Sequence, residues 1–358
     1  MFASSVARSS IRGVSRSSTV PAVSSAQPFA QVARTSFAHS ARRGYASAPS
    51  SGSSSNLPLL LALGGLGGLG AWYGLGGFDS GNVKKVASEA EGALGLGALS
   101  KDEFREFTLK EVKPYNHDSA FYIFELPDNA KPGMGVASAV LIKGAGDDAK
   151  DKDGKPVMRP YTPVSSPATP GHIDFLIKRY PNGAMTNHIH GLKPGDKVAI
   201  KGPLPKLPYK ANEFEHIGMI AGGTGITPMW QVIQQIASDK NDKTNVTLIY
   251  TNKSEKDILL REEFDRLSKS DPRFKVIYGL DKKSGSVPAS TFEGYITHEI
   301  ISQNLPLPGK ADKVKVLVCG PPPMYEAISG GKGPKGSQGD LKGLLADAGY
   351  QADQVYKF

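Results

Sequence analysis

Hydrophobic and polar positions along this chain follow three successive patterns. The first is LPLLLALGGLGGLGAWYGLGGF, residues 57–78, an apolar run without one charge. At a helical rise of about 1.5 Å per residue it reaches across a hydrocarbon core of about 30 Å, and so predicts a single transmembrane helix. Its many glycines suit a membrane helix better than a soluble one. Gly64 and Gly68 make a small-residue packing pair, and Trp72-Tyr73 sit near one end, where aromatics meet the membrane interface. A glycine-rich linker is the competing reading.

A polar, Gly/Ala linker over residues 79–100 leads into the second pattern, residues 101–210. EFTLKEVKPY, AFYIFEL, SAVLIKG, IDFLIKRY and KVAIKG are short runs with β-branched or aromatic content. Clusters such as Leu192-Lys193-Pro194-Gly195-Asp196 separate them. These five runs, with the strand segment that RPYTPVS ends at residues 159–165, predict a small antiparallel six-stranded β-barrel. The third pattern covers residues 211–358. HIGMIAGG, VTLIYTN, RFKVIYGL and KVKVLVCG read as buried strands, PMWQVIQQIASD and DILLREEFDRLS as helices. Strands alternating with helices predict a parallel α/β sheet. The stretch GKGPKGSQGD, residues 331–340, reads as a flexible loop without chemistry.

Charge changes the picture only at the start. The first 78 residues hold no Asp, Glu or Lys, and their charges are Arg8, Arg12, Arg16, Arg34, Arg42 and Arg43. Removing these six from the formal +9 leaves +3 on the rest, so the basic balance is no sign of nucleic-acid binding. Residues 1–50, rich in Ser, Ala and Arg, have the composition of a mitochondrial targeting presequence. A disordered tail is the alternative. Cys319 is the sole cysteine, which excludes an intrachain disulfide and any cysteine-based zinc or iron–sulfur centre. Redox chemistry would need an organic cofactor.

Four segments carry candidate chemistry. In RPYTPVS, residues 159–165, Arg159 and Tyr161 alternate along an extended chain, offering a phosphate-binding fork and a stacking face. A surface strand would look the same. In IKRYPNGAMTNHI, residues 177–189, Thr186 can cap a helix whose free N–H groups suit a phosphate. GGTGITP, residues 222–228, joins a strand to a helix through glycines that permit close backbone approach, with Pro228 as helix starter. It lacks the third glycine of the dinucleotide fingerprint. VCGPPPM, residues 318–324, puts Cys319 at a strand's carboxyl end, where open α/β sheets bind ligands. His188 and His190 could share one side of a strand, but with no third ligand nearby no metal site is expected.

In this order the motifs resemble the ferredoxin–NADP reductase superfamily of flavoproteins, most closely its cytochrome b5 reductase branch, over residues 103–358. The resemblance implies FAD held by Arg159, Tyr161, Thr162, Val164, Ile177, Lys178, Tyr180, Gly183, Met185, Thr186 and Thr227. It implies NADH at Gly222, Gly223, Thr224, Gly225, Asp257, Cys319, Gly320, Pro321 and Met324, with Cys319 and Lys178 nearest the reacting atoms. Asn182 and Thr186 stand where the family often has Gly and Ser. Asp257 would favour NADH by repelling a 2′-phosphate, whereas Lys253 and Lys256 could attract one. Hydride passing from NADH to FAD, then single electrons to cytochrome b5, is the implied activity of a monomeric body. Lys178 and Lys206 are candidates for steering an acidic acceptor. The address implies the mitochondrial outer membrane, or a processed form in the intermembrane space. The rivals are a same-fold reductase for a quinone or another haem protein, and an inactive tethered binding protein.

Overall fold

Two β-sheets, one antiparallel and one parallel, organise the described residues of the computed structural model, which are 97–358 other than 147–148, 284–286, 289 and 310–311. The presequence, the apolar run 57–78 and nearly all of the linker lie outside them. Among the described residues no helix is long and apolar enough to cross a membrane.

The first sheet contains β1 (Arg105–Pro114), β2 (Ser119–Glu125), β3 (Ser138–Lys143), β4 (Met158–Tyr161), β5 (His172–Lys178) and β6 (Lys197–Pro205). Its order is β4-β3-β6-β1-β2-β5, every pairing antiparallel. The two outer strands meet where Val164 N–H donates to Asp174 O (2.8 Å) and Asp174 N–H to Ser165 Oγ (3.0 Å), which rolls the sheet into a barrel. Period-2 alternation sends Phe107, Leu109, Tyr122, Phe124, Ile142, Phe175 and Ile200 inward. Helix α1 (Ala184–Gly191) plugs the barrel with Met185 and Ile189. His188 and His190 lie on this helix, not on a strand. Two positions along a helix point in different directions, and His190 Nε2 is bonded to Ile177 O (3.1 Å).

The second sheet has the parallel order β10-β9-β8-β7-β11-β12. Its strands are β7 (His216–Gly222), β8 (Asn245–Asn252), β9 (Phe274–Leu280), β10 (Phe292–Glu293), β11 (Val314–Cys319) and β12 (Val355–Lys357). Helices α2 (Ile226–Ser238) and α3 (Arg261–Ser270) pack on the face bearing Ile217, Met219, Leu248 and Tyr250. Helices α4 (His298–Asn304), α5 (Pro322–Ile328) and α6 (Gly343–Asp347) accompany the face bearing Ile220, Ile249 and Val316. With both faces covered the central strands are mostly apolar runs, as their sequences read. Strand order reverses between β7 and β11, so the carboxyl ends of those two strands flank the switch point of the sheet.

Three local expectations are corrected. Helix α3 starts at Arg261, not Asp257, because Ser254 and Asp257 cap a separate 3-10 turn and Leu260 takes a φ of 57°. Pro228 is the third residue of α2 rather than the first. A missing N–H is still harmless there, since the first four have no intrahelical partner. The 331–340 stretch is held: buried Lys357 donates its ammonium to Gly331 O (3.1 Å) and Asp340 O (2.8 Å).

The barrel and the α/β sheet are joined through α2. Gln231, 1 % exposed, accepts from Ser138 N–H (3.0 Å) and donates to Pro163 O (2.9 Å), and Trp230 Nε1 donates to Val164 O (3.2 Å).

Candidate functional site

A cleft of about 1180 Å³ runs between the barrel and the α/β sheet. On the barrel side β4 and β5 end beside each other. Tyr161 and Thr162 line the cleft from β4, and Ile177, Lys178 and Tyr180 from β5. The Tyr161 ring meets Phe175 edge-on at 6.4 Å, and burial raises its hydroxyl to about 12, so it is a neutral donor. Arg159 is exposed just outside the lining, its Nη1 donating to Met158 O (2.9 Å).

At the start of α1, Thr186 lines the cleft. It is not the helix cap expected of it. Gly183 is the cap residue, because the Pro181–Gly183 turn ends there, and Thr186 sits one turn-width in. Its hydroxyl donates to Gly183 O (3.0 Å) and accepts from Tyr180 N–H (3.2 Å), tying the turn to β5. Gly183 offers no side-chain cap, which leaves the first N–H groups of α1 open to an anion. Val164 and Met185 are buried in packed cores, so their side chains are not part of the cleft wall.

On the α/β side the two switch-point turns press together. Gly223 has a φ of 53° and opens a 3-10 turn, Gly223–Gly225, into α2. A Cβ on Gly225 would lie 2.2 Å from Cys319 O, and one on Gly222 would lie 2.6 Å from Met324 Sδ. The glycines are therefore required by the neighbouring turn as well as by any ligand. Tyr250 Oη fixes the turn from beneath by donating to Gly223 O (3.0 Å), and Thr227 Oγ1 donates to Thr224 O (3.2 Å). Cys319, Gly320, Pro321 and Met324 complete this wall. Burial pushes the Cys319 thiol up to about 11, so it is protonated and not a nucleophile.

The walls touch at two places. Tyr180 Oη and Thr224 Oγ1 lie 3.1 Å apart. Farther along, Lys178 Nζ is 2.8 Å from both Asp118 Oδ2 and Asp257 Oδ1. Burial pulls the lysine down, but the two carboxylates outweigh it and leave it raised. Burial likewise pushes Asp257 up, and the bonds from Lys178 and Ser254 bring it below its usual range. Asp257 thus faces the cleft with one oxygen on Lys178 and the other on Ser254 Oγ (2.6 Å). His117, Asp118 and Asp257 are close enough to ligate a metal, but the Lys178 ammonium already supplies the cation among them.

Sequence reasoning missed His117, Asp118, Tyr295 and Phe358, all of which line the cleft. Tyr295 is 90 % exposed, a large aromatic face with nothing packed on it. The chain offers no contiguous motif for any of them.

The site therefore has a long polar-ended cleft, an exposed arginine, an open helix start, flat rings, and a glycine turn at the switch point. Those features fit a flavin dinucleotide against the barrel and a nicotinamide dinucleotide against the α/β sheet. They define a two-domain FAD- and NAD-binding oxidoreductase with the ferredoxin reductase-like fold. Residues 106–209 match the oxidoreductase FAD-binding domain, and residues 219–330 match the oxidoreductase NAD-binding domain. An NADH-cytochrome b5 reductase 2 of Mycosarcoma maydis is 64% identical over 315 residues, 85% of this chain and 89% of the relative. A protein of the same name from Phaeosphaeria nodorum is 44% identical over 88% of this chain and 95% of its own. Among solved structures, the cytochrome b5 reductase domain of Ulva prolifera nitrate reductase superposes with a TM-score of 0.62 at 29% identity, covering 73% of this chain and 99% of that one. The chain belongs to the NADH-cytochrome b5 reductase family.

Proposed function

We propose that this chain takes electrons from NADH and delivers them, through FAD, to cytochrome b5, while anchored in the mitochondrial outer membrane. The observation that carries the reading is the meeting of two walls in one cleft: the Tyr161–Thr162 strand end on one side, and the glycine turn with Cys319 on the other. Bound FAD supplies the conversion between two-electron hydride chemistry and one-electron transfer.

The residues hold and orient. Arg159 and the open N–H groups of α1 meet the flavin pyrophosphate, with Gly183, Met185 and Thr186 contributing through backbone and hydroxyl. Tyr161, Thr162, Ile177, Lys178 and Tyr180 face the flavin. Val164 fixes the end of the flavin-facing strand, its N–H donating to Asp174 O and its O accepting from Trp230 Nε1, and Thr227 closes the floor. Gly222, Gly223, Thr224 and Gly225 let the nicotinamide dinucleotide approach the backbone. The neutral Cys319 thiol, with Gly320, Pro321 and Met324, orients the nicotinamide ring. Asp257 meets the adenosine ribose and Tyr295 offers its face to the adenine. Lys206 supplies positive charge toward an acidic acceptor, whereas the charge of Lys178 is met by Asp118 and Asp257. Residues 1–50 serve as the address and 57–78 as the anchor, a reading supported by the acid-free composition and the uncharged run.

Turnover of purified full-length protein with soluble cytochrome b5 is the test. The expected result is haem reduction with higher kcat/KM for NADH than for NADPH, falling with salt while ferricyanide reduction changes less. Haem reduction slower than quinone reduction would overturn the acceptor. A preference for NADPH would overturn the cofactor choice and favour Lys253 and Lys256 as 2′-phosphate ligands. Alkaline carbonate is expected to leave the protein in the membrane pellet, and full extraction would remove the anchor.

A further inference from the structure

The loop that carries Asp257 is held in place from the other domain. Between β8 and α3 the chain makes a single 3-10 turn, Glu255–Asp257, and then puts Leu260 at a φ of 57°. That is a conformation few residues other than glycine adopt unsupported. Its support comes from the tip of the β1–β2 hairpin. Arg261 N–H donates to Tyr115 Oη (3.3 Å), and Asn116 Nδ2 donates to Lys256 O (2.9 Å). Asn116 Oδ1 accepts from Asp118 N–H (3.1 Å), so both ends of the amide are used and its orientation is fixed. Tyr115 stands edge-on to Phe121 at 5.6 Å, and burial raises its hydroxyl pKa, which keeps it un-ionised. These two bonds bracket Asp257 by one residue on one side and four on the other. They reach it from residues some 140 positions away in the sequence.

We propose that Tyr115 and Asn116 are positioning residues that set how tightly the adenosine half of the nicotinamide dinucleotide is bound. The proposal rests on Asp257 as the ribose-facing carboxylate. That carboxylate already accepts from Lys178 and Ser254, so a ribose hydroxyl has a narrow approach to the lone pairs that remain. A small shift of the 254–261 loop closes it. The hairpin itself makes no bond to the glycine turn or Cys319. The loop meets that turn through Tyr250 Oη, which accepts from Leu259 N–H (3.2 Å) and donates to Gly223 O (3.0 Å), so the larger effect falls on binding and the smaller on the reacting end.

Steady-state kinetics of the full-length protein with ferricyanide as acceptor separates the effects. Tyr115→Phe removes only the hydroxyl, and Asn116→Asp keeps the acceptor for Asp118 N–H while losing the donor. Loss of one such bond is expected to raise KM for NADH about three- to tenfold. With kcat changing less than about twofold, the loss is one of uniform binding. Flavin content and Tm are expected to match the parent. A parental KM in both variants overturns the proposal. So does a parallel fall in kcat and flavin content, which would mean a merely structural hairpin. Asp257→Asn separates this from the underlying reading. A parental KM for Asp257→Asn overturns the ribose assignment. A raised KM in the hairpin variants alone would then show that they place the loop for a different contact.

Discussion

On the α/β wall of the cleft, Gly222, Gly223 and Gly225 bring backbone to the surface, whereas on the barrel wall Arg159, Tyr161, Lys178 and Tyr180 bring side chains. The first wall is close-packed at Gly222 and Gly225, where a methyl group would run into Met324 and the Cys319 backbone, while Gly223 is set by its φ of 53°. The second is open, with Arg159 and Tyr180 exposed. Shape is therefore built into the nicotinamide side before a ligand arrives, and chemical identity is what the flavin side contributes. Changes on the first wall should disturb geometry and rate. Changes on the second should disturb affinity.

The sharpest way to break this contrast is Gly225→Ala. Its Cβ would collide with the backbone oxygen of Cys319 at 2.2 Å, so β7 and β11 must part at their carboxyl ends. Misplacement on the scale of about 1 Å lowers the rate of flavin reduction by about 100-fold. Stopped-flow reduction by NADH measures this, and the flavin content of the variant should stay near the parent's. Arg159→Ala is the converse. Loss of a charge-assisted bond worth about 1.5–3 kcal/mol should weaken flavin binding about 10- to 100-fold, read by titrating the apoprotein with FAD. Flavin-saturated variant should then be reduced at nearly the parental rate. The smallest effect is expected at Cys319. Replacement by Ala leaves the turn intact and should lower kcat by about threefold to tenfold through looser orientation of the nicotinamide.

The same thiol gives a pH expectation. Burial raises its pKa, so the protonated form is favoured in the folded state. Its stabilising contribution is full below the free thiol's value of about 8.5 and is lost as pH rises through about 11. Labelling by iodoacetamide at pH 8 should be about two orders of magnitude slower than that of free cysteine. Fast labelling would contradict a neutral thiol at this wall.

The two walls also differ in how legible they were. RPYTPVS and GGTGITP are contiguous, so the residue types that approach one ligand are neighbours in the chain as well as in space. The longer strands of both sheets could be read because they bury one face, or in the parallel sheet both, whereas β4 has no buried residue and shows only through its RPYTPVS motif. β10 and β12 were invisible, being two and three residues long, too short for period-2 alternation to show. Thr186 was misplaced by one turn-width because a hydroxyl in the first turn of a helix and one at its cap have the same sequence appearance. His117 and Asp118 could not be found at all. Their role arises from the pairing of Ser119 with Lys178 across β2 and β5, and from a second domain folding onto the hairpin.

Absorbance of the anaerobic full-length protein, titrated with NADH, asks whether both dinucleotides share the cleft. One equivalent of NADH should bleach the flavin band of the parent completely. Under the same titration, Gly225→Ala should keep its flavin band but bleach slowly, and Arg159→Ala should carry little band until FAD is added. A parent that binds no flavin, or whose flavin band is indifferent to NADH, would contradict the two-walled site.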